Sequence, residues 1–199
     1  RSWLGLFMKR TWENYTRIYM YSENQSNYLK TVRESDAITV HLVCLGNICR
    51  SPLANALLAN KCADLTKPKV AVDSSGTGGW HVGEGASQYS IQVWQEAGYK
   101  YEHKAKQFKD TYFQQHDLIL AMDLSNRAAL LKLAKSEEDK NKILMFLSFD
   151  PELQKIDPEG EDAHQLSVPD PYGMELAEYK KVLDMLERAA DGFKSWVNS

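Results

Sequence analysis

The sequence predicts an α/β domain built on an open, twisted parallel sheet, with helices on both faces and a phosphate-binding loop after the first strand. Three observations carry that prediction. Strand-like apolar runs at 38–43, 70–74, 117–121 and 143–147 alternate with helical patterns at 53–62, 86–97, 125–134 and 174–197, which is the sequence form of a parallel sheet with crossover helices. A chain of 199 residues suits one domain that can bury a core. The first apolar run ends in Val43-Cys44-Leu45-Gly46-Asn47-Ile48-Cys49-Arg50-Ser51-Pro52, a strand-to-helix turn at the carboxyl end of the sheet, where open α/β folds bind their ligands.

Residues 1–36 form an N-terminal extension, and 37–199 the domain itself. In the extension, Leu4, Phe7, Trp12, Tyr15, Ile18 and Tyr19 fall loosely at helical spacing. They predict an amphipathic helix packed on the domain or on another chain, and the polar run Ser22 to Asn27 reads as a break. The apolar stretch Leu4 to Met8 is interrupted by Lys9-Arg10 and has no small-residue cleavage site behind it. No stretch approaches the roughly 18 to 20 apolar residues of a membrane span. The net charge of −3 supplies no general attraction for nucleic acid. Three cysteines are too few for a disulfide framework, so the expectation is a cytoplasmic chain in a reducing compartment.

At the turn after the first run, successive backbone N–H groups and the following helix end make a concave anion site. Cys44 at its entrance feels that field and the fixed charge of Arg50, conditions that favour a nucleophilic thiolate. Asn47 tolerates positive φ and can tie the loop to itself. Ser51 and Pro52 suit the first turn of a helix. Cys62 on that helix reads as structural, and Lys135 to Lys140 as a solvated turn. The acidic stretch Asp157 to Asp162 lacks the twelfth-position glutamate of a calcium loop, and no metal ligand or other cofactor is assigned. The last helix shows the clearest apolar face, with Leu176, Tyr179, Leu183, Leu186, Ala190, Phe193 and Val197.

Cys44 through Pro52 resembles the motif of the low-molecular-weight protein tyrosine phosphatases. Matching segments follow in order: Asp73 to Thr77, Trp80-His81-Val82-Gly83, His103 to Gln107, Asp117 to Asp123 with Asn126, and Val168-Pro169-Asp170-Pro171-Tyr172. The resemblance implies a metal-free phosphotyrosine phosphatase acting on a protein substrate, with acid phosphatase activity on aryl phosphates. Cys44 would attack phosphorus, and Arg50 with the loop from Leu45, Gly46, Asn47, Ile48 and Cys49 to Ser51 would bind phosphate. By the same resemblance Ser51 donates to the cysteine sulfur, Ser75 and His103 brace the loop through Asn47, and Trp80 and Tyr172 wall an aromatic cleft.

Three Asp-Pro pairs, at Asp150, Asp157 and Asp170, are chemically equivalent as proton donors; only the flanks of Asp170 match the family. Its protonated form then makes catalysis most efficient in mildly acidic solution. Gly173 stands where many relatives have a second tyrosine, which lowers one cleft wall. Cys49, within the loop, implies a reversible disulfide with Cys44 under oxidant. Three other functions fit the scaffold. An arsenate reductase needs cysteines beyond Cys62, an arginine phosphatase has threonine where Ile48 stands, and a phosphotyrosine-binding module would hold phosphate without turnover.

Overall fold

A computed structural model describes residues 22–199. The amphipathic pattern between Leu4 and Tyr19 lies outside them. The described chain opens on helix α1 (Glu23–Arg33), then β1 (Ala37–Cys44), α2 (Arg50–Lys61), β2 (Lys69–Gly76), α3 (Gln88–Glu96), the single turn α4 (Tyr112–Gln115) and β3 (Leu118–Ala121). It continues through α5 (Leu124–Leu133), α6 (Glu137–Asn141), β4 (Ile143–Met145), two 3₁₀ segments (Phe146–Phe149 and Glu161–Leu166) and the long α7 (Leu176–Val197).

The four strands form one parallel sheet in the order β2-β1-β3-β4. Chain direction across the sheet reverses at β1, because β2 lies on one side of it and β3 on the other. Right-handed crossovers to opposite sides place their helices on opposite faces, and the reversal opens a crevice at the carboxyl end of β1. Cys44 is the last residue of that strand, in register with Gly76. Strand β1 is buried on both faces from Val40 onward, which is why its sequence runs apolar rather than alternating. Helix α2 packs on β1, β2, α3 and α7, and α5 packs on β3 and β4.

Three expectations need correction. The polar run Ser22 to Asn27 is not a break but the start of α1. Ser22 caps the helix by accepting from Gln25 N at 3.1 Å, and Gln25 is buried because its amide donates to the Asn141 and Ile143 carbonyls. Leu29 and Val32 are also buried and Tyr28 donates to the Asp117 carbonyl, so α1 packs against the rest of the described chain. Lys135 to Lys140 is not simply a solvated turn, since Ser136 and Asp139 form a reciprocal capping box that starts α6. The buried face of α7 includes Val182, Ala189 and Trp196, whereas Leu176 and Leu183 are only partly covered. Trp196 and Phe193 meet Phe149 of the first 3₁₀ segment edge to face.

Candidate active site

Between Cys44 and the start of α2 the chain turns through Asn47, whose φ of 57° is the one positive φ among described non-glycine residues. Asparagine accepts this conformation more readily than most residues, and here its side chain is fully used. Its Nδ2 donates to Ser51 Oγ at 2.8 Å and to Ser74 Oγ at 3.1 Å, and its Oδ1 accepts from Lys106 N at 2.8 Å. His103 Nε2 lies 2.7 Å from the Asn47 carbonyl. Ser75 does not reach Asn47. Ser74 takes that place, because alternate residues of β2 face opposite ways and only Ser74 points at the loop. The Ser75 hydroxyl instead meets His41 Nε2 at 2.7 Å.

The Cys44 sulfur receives two hydrogen bonds, from Asn47 N at 3.2 Å and from Ser51 Oγ at 3.0 Å. Both donors are held by the Asn47 network, so the sulfur sits in a prearranged polar cradle. Gly76 backs this cradle. A Cβ there would stand 2.6 Å from the Leu45 carbonyl oxygen and 3.0 Å from Asn47 N. Thr77 N and Gly78 N donate to the Cys44 and Leu45 carbonyls and hold the loop against the strand end.

Arg50, the first residue of α2, is 3 % exposed and spans the site. Its Nη1 donates to Asp123 Oδ2 at 2.6 Å and to the Val168 carbonyl at 3.1 Å, and its Nη2 to Asp170 Oδ2 at 2.7 Å. Its Nε is buried without a protein partner. A buried, unmatched N–H on a fixed guanidinium is costly unless an anion accepts from it. Burial alone would raise the Asp123 carboxyl, but hydrogen bonds from Ser125, Asn126 N and Arg50 outweigh it and hold the group below its ordinary range.

A cavity of about 140 Å³ opens above the sulfur, lined by Cys44, Leu45, Gly46, Ile48, Cys49 and Arg50 from the loop and by Trp80, His81, Asp170 and Tyr172 from the rim. Of the three aspartates before proline, Asp170 alone lines it. Asp150 is wholly buried against Arg188 Nε at 2.9 Å, and Asp157 accepts from Glu159 N in a turn. Trp80 is 73 % exposed and Tyr172 63 %, so neither is a core aromatic. Cys49 Sγ lies 3.4 Å from Tyr179 OH, and burial pushes its thiol up. Cys62, the C-cap of α2, is buried away from the cavity lining, and burial raises it to about 11.

Four residues received no role in the sequence reading: Asp123, Ser74 and His81, which lie in the matched segments, and His41. The signal for Asp123 was present, since an aspartate just before a helical pattern, three residues ahead of Asn126, suits an N-cap. His81 follows Trp80 and sits on Gly46, where a Cβ would come 3.1 Å from its ring. His41 is driven down to about 3, first by burial and then by His116, so it stays neutral near pH 7.

A sequence profile described as low molecular weight phosphotyrosine protein phosphatase matches residues 39–199. The chain belongs to that phosphatase family. A low molecular weight protein-tyrosine-phosphatase of Streptomyces coelicolor is 39 % identical over 154 residues, covering 77 % of this chain and 89 % of the relative. Low molecular weight protein-tyrosine phosphatase A of Mycobacterium bovis is 34 % identical, covering 82 % and 94 %. Among solved structures, a protein tyrosine phosphatase from Entamoeba histolytica superposes with a TM-score of 0.70 at 30 % identity, covering 81 % of this chain and 97 % of that one. An arginine phosphatase from Geobacillus stearothermophilus reaches 0.67 at 28 %, covering 81 % and 93 %. The phosphatase fold thus accommodates both substrate classes. Among the described residues no helix is long and apolar enough to cross a membrane.

Proposed function

We propose that this phosphatase hydrolyses protein phosphotyrosine through a phosphocysteine formed on Cys44. The observation that carries the reading is the cavity floor, where a twice hydrogen-bonded sulfur lies beside a buried arginine whose Nε has no protein partner. Arg50 Nε and the loop N–H groups bind the phosphoryl oxygens, and they bind the trigonal-bipyramidal transition state better than the tetrahedral substrate. Cys44 attacks phosphorus in line while Asp170 gives its proton to the departing phenol oxygen. Asp170 then takes a proton from the water that attacks the phosphocysteine, and the thiolate leaves with Ser51 donating to it.

The substrate is assigned from the rim. Ile48 gives the loop an apolar side chain where a hydroxyl would favour phosphoarginine, and exposed Trp80 and Tyr172 suit the faces of a phenyl ring. A phosphoserine is too short to reach the floor and touch both walls. The three buried free cysteines suit a cytoplasmic protein. Peroxide would oxidise the Cys44 thiolate to a sulfenic acid, releasing hydroxide. The Cys49 thiol would then displace water to give a Cys44–Cys49 disulfide.

The deciding experiment measures phosphate release from a phosphotyrosine peptide without added metal, with a phosphoarginine substrate and Cys44→Ser alongside. Turnover of phosphotyrosine that disappears in Cys44→Ser is expected. Faster release from phosphoarginine would overturn the substrate assignment. Binding without turnover by the unmodified chain would replace the enzyme with a phosphotyrosine-binding module.

A further inference from the structure

Behind the loop, three side chains from separate elements converge. His41 on β1, Asp73 on β2 and His116 just before β3 bring their ligand atoms within 4.8 Å of one another. His41 Nδ1 stands 3.3 Å from His116 Nε2 and 3.9 Å from Asp73 Oδ2. Two nitrogens bound tetrahedrally at about 2.0–2.1 Å from zinc lie roughly 3.3–3.4 Å apart. The histidine pair therefore already has ligand spacing, and Asp73 needs only a small rotation to join it.

The outward-facing ring nitrogens are engaged. His116 Nδ1–H donates to the Tyr112 carbonyl at 3.1 Å, which fixes that ring's lone pair on Nε2, the atom facing His41. His41 Nε2 lies 2.7 Å from Ser75 Oγ, and when it donates there both inner nitrogens present lone pairs to the same point. Outer partners of this kind orient ligating imidazoles, and the Lys106 ammonium on the other oxygen of Asp73 does the same for the carboxylate. Phe108 and Tyr112 pack their rings against His41 and form an apolar wall. The Asp73 side chain, 39 % exposed, supplies the way in.

The geometry points to a binding site for a divalent transition-metal ion of the zinc class, held by His41 Nδ1, His116 Nε2 and Asp73 Oδ2 with water in the fourth position. Two neutral imidazoles and one carboxylate suit this class, while calcium and magnesium prefer all-oxygen ligand sets. The site plays no part in the phosphocysteine chemistry. It adjoins that chemistry through β2, where Ser74, next to Asp73, accepts from Asn47 Nδ2, and through Lys106, which pairs with Asp73 and whose N donates to Asn47 Oδ1. The same 3.3 Å contact would serve a plain hydrogen bond if His41 carried its proton on Nδ1, with the Ser75 hydroxyl donating to Nε2.

A metal titration separates the two arrangements. The full chain carrying Cys44→Ser, which removes the competing sulfur that lines the cavity, is titrated with zinc against a chromophoric chelator and with cobalt(II) in the visible range. Expected are one equivalent of zinc, cobalt bands of a four-coordinate nitrogen and oxygen site without sulfur charge transfer, and a loss of at least about 100-fold in zinc affinity on His116→Phe. Absence of saturable uptake, sulfur charge-transfer bands, or equal affinity in His116→Phe would overturn the site. If circular dichroism shows His116→Phe unfolded, His116→Gln is measured by the same criterion.

Discussion

The floor of the cavity and its rim are built on opposite principles. On the floor, Asn47 and Ser51 are fully buried, Arg50 nearly so, and each makes several hydrogen bonds at once. On the rim, Trp80 and Tyr172 stand in solvent and Asp170 keeps 40 % of its side chain exposed. A polar group taken out of water must be matched, and the floor groups named here are, apart from Arg50 Nε, so the floor holds one geometry. Exposed aromatics meet no such demand and adapt to what they bind. The floor, with Asp170 reaching it through Arg50, accordingly controls the chemical step, and the rim aromatics control which phosphate ester arrives.

Mutations can break or sharpen that contrast. The largest effect is expected at Cys44→Ser, where phosphate release should fall by at least ~10⁴-fold while the fold persists, as read by single-turnover kinetics and circular dichroism. Next comes Asp170→Ala, expected to slow the first chemical step by about 10²–10⁴-fold. Asp150→Ala should leave kcat nearly unchanged and cost about 1–3 kcal/mol in denaturant unfolding, since it removes the acceptor for Arg188 and Glu152 N. A kcat loss at Asp150 that equalled the loss at Asp170 would dissolve the assignment of the general acid.

Smaller effects follow. Asn47→Ala deletes three side-chain hydrogen bonds at a positive φ, so kcat should drop by roughly 10–100-fold and stability by about 2–4 kcal/mol together. Trp80→Ala should raise KM by about 3–30-fold for a phosphotyrosine peptide with kcat close to the parent, and an equal fall in kcat would place Trp80 on the floor side of the contrast. The smallest effect concerns acid. The folded carboxyl of Asp123 is held below its unfolded value, so its contribution is present above the unfolded carboxylate range near ~4 and is lost as pH falls through the folded value. Asp123→Asn should flatten that limb of stability against pH, measured by urea unfolding between neutral pH and pH 3.

The legible parts of the molecule were those written locally. The strand-to-helix turn carries Cys44, Asn47, Arg50 and Ser51 within eight residues, and the apolar runs mark all four strands. What escaped arrives from a distance. Asp123 meets Arg50 across 73 positions, and the partner of Asn47 is Ser74 rather than Ser75, a difference of strand facing that only register reveals. Helix α1 was hidden because its opening residues are polar and its burial depends on Gln25 finding carbonyls more than a hundred residues away. Asp150, Asp157 and Asp170 were indistinguishable as dipeptides, and position in space separates them.

Gly76 never meets substrate, yet the loop lies so close to it that one added carbon would collide with the Leu45 carbonyl and press on Asn47. Every single-base missense change of a glycine codon adds at least that carbon. The entire mutational neighbourhood of residue 76 therefore displaces the loop, and inactivating alleles are expected to gather at a position that any survey of substrate contacts would pass over.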